Sequence, residues 1–161
     1  MTFLRFVLLL SLAIWIGALI FFPVVAQTSF TVLPSAHLAG LVVRHSLIDL
    51  HWMGMVAGIV FFACSLIDNR VTVGRARVFA LSQILLVMML ALTAISQFWI
   101  IPRMDVLRIT AGEISALPAD NPMRAQFDAL HGWSTRIETA VLVLGLVVIY
   151  SVARRFSRSW S

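Results

Sequence analysis

The sequence predicts an all-α fold: an integral membrane, antiparallel four-helix bundle with its N and C termini both inside. Three observations carry this. Hydrophobic residues make up 61% of the 161-residue chain, well above the roughly 45–50% of soluble domains. The apolar residues gather into four runs, each near the ~20 residues that cross a hydrocarbon core. The 12 basic residues are all arginine, and all but Arg136 lie at or beyond the ends of those runs. There they read as topology and headgroup signals, and not as a nucleic-acid surface.

The first span covers residues 4–25. Arg5 at its start and Val24-Val25-Ala26 at its end imitate a signal peptide, but the apolar run is long for that role and reads as a retained helix. The second span covers residues 47–66, the third 78–101 and the fourth 129–152. The short connection between the second and third spans makes them antiparallel neighbours. Residues 27–44 and 102–128 read as outward loops. The first holds a turn at Leu33-Pro34-Ser35 followed by a short interfacial helix. The second opens on helix-breaking Pro102 and is interrupted again between Leu117 and Pro122. Residues 1–161 form one transmembrane domain on this reading. Arg5, Arg70, Arg75, Arg77, Arg154, Arg155 and Arg158 fall on one side, against Arg44, Arg103, Arg108 and Arg124 on the other. That bias places both termini in the cytoplasm, and a bacterial inner membrane is the expected location.

The second and fourth spans carry ionisable groups at one depth: Asp49 and His51, then His131, Arg136 and Glu138. Such groups cost at least ~2.5 kcal/mol each at the centre of a membrane helix, so they face a protein interior or a site. At 100° per residue, His131, Ser134, Thr135, Glu138, Leu142 and Gly145 share one stripe, and Arg136 points away from His131. His51, Gly54, Met55 and Gly58 share another stripe, while His45, Asp49 and Trp52 share a third. The expected polar cluster is Asp49, Arg136, Glu138, Ser134 and Arg103.

Gly54 and Gly58 form a small-xxx-small pattern. Its ordinary use is close helix packing; its functional use is room for a flat ligand. With His51 and His131 as axial metal ligands, and Gly54 and Gly58 beside them, that ligand would be haem b. The ordinary reading of each histidine is a hydrogen-bonded group near the headgroups. For Asp49, Arg136 and Glu138 the structural reading is ion pairing, and the functional readings are an anion pocket or a proton relay. Met53, Met55, Met88 and Met89 are spaced as packing residues, and Cys64 as an inert small hydrophobe. No phosphate-binding loop, paired-cysteine motif or nucleophile elbow is present in the sequence, and enzymatic activity is left open.

Trp15-Ile16-Gly17 with Phe21-Phe22-Pro23, Phe30, Leu33, Ala39-Gly40, Leu50-His51, Gly54, Pro102, and Phe127-Asp128-Ala129-Leu130-His131 with Ser134 together resemble the transmembrane protein 205-like family. The resemblance implies a small four-helix membrane protein and no defined activity. Members often carry Asn where this chain has Glu138. A more distant likeness in the first span is to copper-resistance D-like and protoporphyrinogen oxidase-like haem membrane proteins, which typically have a histidine there; this chain has none. Three function classes follow: a haem- or metal-binding protein, with electron transfer as its use; a structural or accessory subunit acting as a homodimer or in a larger membrane complex; and a small transporter with an outward polar site. The lipid bilayer is the expected partner and nucleic acid is not.

Overall fold

The computed structural model describes residues 2–73 and 81–157. It is all-helical, with α1 at Thr2–Val32, α2 at Ala36–Val73, α3 at Leu81–Ile95, α4 at Ile101–Ala111 and α5 at Pro122–Ser157. A π-helical turn, Ser96–Ile100, joins α3 to α4 without a break, and a 3-10 turn, Ile114–Ala116, lies between α4 and α5. Four segments are long and apolar enough to cross a membrane: Phe3–Val32, Ala36–Val71, Leu81–Ala111 and Pro122–Arg154.

The helices overrun the predicted spans, chiefly at one end of the bundle. Of the expected outward loop 27–44, only the turn around Leu33–Ser35 is non-helical, and the interfacial helix is simply the beginning of α2. Ser35 starts α2 by accepting the Leu38 N–H on its hydroxyl at 3.2 Å, which satisfies one of the helix's unpaired first-turn donors. Pro102 does not end the third span. The Ile101 N–H reaches back to the Ser96 carbonyl, a five-residue step whose wider turn is a known way for a helix to pass a proline. The helix ends at Gly112, where φ is +69° and the N–H donates to the Arg108 carbonyl at 2.8 Å. A positive φ suits a residue without a Cβ. Asn121 then starts α5 by accepting the Met123 N–H at 2.8 Å, with Pro122 at the first helical position. The predicted start of the third span, residues 78–80, lies outside the described residues.

The core is apolar and set by small-residue contacts. Leu8, Leu12, Trp15, Ile16, Phe61, Leu86, Met89, Val141 and Val148 are buried together. Trp15 lies on Gly54 and Gly58 of α2, and a Cβ at Gly54 would stand 2.3 Å from its Nε1. Ile16 and Met89 sit on Gly145 of α5 in the same way. Lipid-like surface covers the outside, with Phe3, Phe6, Phe21, Val56, Ile59 and Tyr150 all exposed. Cys64 is half-buried among the residues packed on the core.

Two polar layers bracket this core. At one end Arg5 Nε donates to the buried Asp68 carboxylate at 3.2 Å, joining the start of α1 to the end of α2. Nearby, Gln83 Nε2 donates to the Ser65 hydroxyl at 2.6 Å and accepts from Ser82 at 2.8 Å. The other layer is centred on His51. Fourteen residues separate His51 from Ser65 on α2, and fourteen separate Gln97 from Gln83, so the layers lie about 21 Å apart at a helical rise of 1.5 Å per residue.

Candidate functional site

His51 is fully buried, at 0% exposure. Its Nδ1 lies 2.9 Å from Gln97 Oε1 in the π-helical turn, and its Nε2 lies 2.7 Å from Glu138 Oε1 on α5. A carbonyl oxygen only accepts, so Nδ1 carries a proton and donates to Gln97. Nε2 and the Glu138 carboxyl then share one proton between them. The π turn contributes directly to this arrangement, since it carries Gln97 between the ends of α3 and α4.

Polar groups in the protein interior outnumber their partners. Glu138 Oε2, Trp15 Nε1, Thr93 Oγ1 and Ser96 Oγ are buried and make no hydrogen bond to the described residues. Each such group costs about 1–3 kcal/mol.

A cavity of about 550 Å³ adjoins this layer. The last turns of α1 contribute Leu19, Phe22, Pro23, Ala26 and Phe30 to its wall, and the first turns of α2 contribute His37, Gly40, Arg44 and Leu47. Met104 and Arg108 enter from α4, and His131, Ser134, Thr135, Glu138 and Leu142 from α5. Arg44 donates through Nε and Nη2 to both carboxylate oxygens of Asp105, and Arg108 Nη1 stands 3.6 Å from the same carboxylate. Arg44 lies seven residues from His51 along α2, so this cationic group stands about 10 Å from the His51 layer.

The expected polar cluster is partly assembled. Glu138 and Ser134 belong to the site, and the stripe His131, Ser134, Thr135, Glu138 and Leu142 lines the cavity as one face. Asp49, Arg103 and Arg136 do not join it. Asp49 is exposed and makes no ion pair with the described residues. Arg136 is exposed over the Trp133 ring at 5.3 Å, and Arg103 over Trp99 at 3.7 Å. The reason is helical phase: Asp49 and Arg136 each lie two residues, or 200°, from the inward-facing His51 and Glu138. Accordingly, Asp49→Asn and Arg136→Gln are expected to leave the unfolding midpoint in mixed micelles unchanged, measured by circular dichroism against SDS fraction.

The residues present do not fit a haem held by His51 and His131. Both nitrogens of His51 are engaged, and the space beside Gly54 and Gly58 is filled by Trp15 and Leu90. His131 is an exposed residue on the cavity wall. Among the described residues no three His, Cys, Asp or Glu side chains gather as a metal site. The glycine pair therefore serves close packing here. Sequence reasoning missed Gln97, Trp15 and the Arg44–Asp105–Arg108 group. Gln97, a lone amide in an apolar run, was the available signal for the first.

The fold and its site define a multi-pass, all-helical membrane protein with a buried polar layer beside a cavity. Residues 10–112 match the family described as a domain of unknown function (DUF4149), and the chain belongs to that family. The match takes in His51, Gln97, Arg44, Asp105 and Arg108 and stops before α5, which supplies Glu138. No curated protein and no solved structure matches the chain.

Proposed function

We propose that the protein binds an amphipathic small molecule in the cavity, as the binding site of a small transporter or permeation element. The observation that carries this reading is the cavity itself: about 550 Å³, within the ~300–1,000 Å³ of small-molecule sites, with apolar walls and a few convergent polar groups. The hydrogen-bonded His51–Glu138 pair stands at its side, with Glu138 in the cavity wall. On this proposal the spans run antiparallel with both termini inside, the cavity faces the outer side of a bacterial inner membrane, and residues 1–161 act as one domain. The likeness to transmembrane protein 205-like proteins supports the architecture and supplies no activity.

A spin-labelled single-chain amphiphile tests the reading. Protein in phosphatidylcholine nanodiscs is expected to give a motionally restricted component in the electron paramagnetic resonance spectrum. Ala26→Trp, which fills the cavity from the α1 wall, is expected to remove that component while leaving the thermal melt intact. A restricted component of equal size in both proteins would overturn the proposal.

A further inference from the structure

Resting on that reading, we infer that the ligand is a single-chain organic anion, a carboxylate or phosphate monoester on an alkyl chain, whose head is gripped by Arg108 and Arg44. Two guanidinium groups share one carboxylate. Arg44 takes both oxygens of Asp105 through Nε and Nη2, while Arg108 meets the same group only at 3.6 Å. All three side chains are largely buried, at 24%, 22% and 20% exposure for Arg44, Asp105 and Arg108. The group therefore carries one surplus positive charge where water screens poorly.

That surplus faces the cavity. Both arginines line it, and Asp105 is not among its lining residues. Gly40 packs beside the Arg108 guanidinium, where an added Cβ would reach ordinary van der Waals contact with Nη2 at 3.9 Å. The Phe127 ring lies 5.0 Å from the guanidinium carbon of Arg108. The other ionisable lining groups do not cancel the charge. His37 and His131 bring no negative charge, and the one lining carboxylate, Glu138, is already engaged by His51 Nε2 at 2.7 Å. Beyond the cationic end, Leu19, Phe22, Phe30, Leu47, Met104 and Leu142 offer apolar wall for a chain.

The test compares a doxyl-labelled fatty acid with its methyl ester, using the full-length chain in phosphatidylcholine nanodiscs. The acid is expected to bind about tenfold tighter than the ester, as one charge-assisted contact predicts. In Arg108→Gln that preference is expected to vanish while ester binding stays the same, which separates lost charge from lost fold. Equal binding of acid and ester to the wild type, or a preference that survives Arg108→Gln, overturns the anion assignment and leaves the cavity reading standing. Absence of restricted signal from both probes overturns the cavity reading itself. Displacement of the acid by phosphatidylglycerol as effectively as by unlabelled acid overturns the single-chain assignment and gives the site to a membrane lipid headgroup.

Discussion

His51→Ala is expected to destabilise the folded protein by about 3–5 kcal/mol, the range for removing one partner of a buried pair. The imidazole is fully buried and joins three helical segments through Gln97 and Glu138. Its loss leaves the Gln97 oxygen and both Glu138 oxygens without a partner, because Oε2 already has none. It also opens a hole in a packed interior. A single interhelical hydrogen bond in a membrane protein averages only about 0.6 kcal/mol, so the size of the effect decides between mechanisms. Reversible unfolding in SDS mixed micelles measures it. A change below about 1 kcal/mol would mean that the layer relaxes around the loss and that His51 does not hold the three segments together. Glu138→Gln should be milder, since the amide keeps a hydrogen-bonding partner beside Nε2.

Gly54→Ala is expected to cost about 3 kcal/mol, at the upper end of typical overpacking penalties. The added methyl would fall 2.3, 2.7 and 2.8 Å from Nε1, Cε2 and Cδ1 of Trp15. A buried indole is a rigid plate and has no flexible end to withdraw, so either the ring tilts or α1 and α2 move apart. Gly58→Ala provides the control. Its new methyl meets the Leu90 Cδ2 tip at 2.7 Å and the Trp15 Cζ3 edge at 2.8 Å. Leu90 can change rotamer, so the penalty there should be smaller. Unfolding titrations of the two variants, read beside tryptophan emission, check the order. Equal stability of wild type and Gly54→Ala would mean that the helix contact is loose.

The architecture was legible because the apolar runs are long and dense, and the four spans follow from composition alone. Their ends were not legible. Pro102 and Pro34 are both breaking signals, but only the second lies at a break; the π turn that carries the chain past Pro102 depends on hydrogen bonds several residues away. Counting residues around a helix found the Glu138 stripe and set Arg136 apart from His131. It could not say which of the two α2 stripes faces inward, since His51 and Asp49 are equally polar. Trp15 decides that matter by filling the space over Gly54, a contact between helices that no single helix encodes. Arg44 and Arg108 read as topology and headgroup signals in the sequence for a related reason: only the helices' extension beyond the predicted spans brings them beside Asp105.

The apolar section between the Ser65–Gln83 pair and the His51 layer also acts as an electrical insulator. It is packed with Leu12, Trp15, Phe61, Leu86 and Met89, and it extends about 21 Å along the helices. In an energised membrane most of the voltage drops across such a low-dielectric slab, at about 2.3 kcal/mol per elementary charge per 100 mV. The two polar layers therefore stand at opposite ends of that drop, and a charge displaced from one to the other does electrical work that a charge moving within either layer does not.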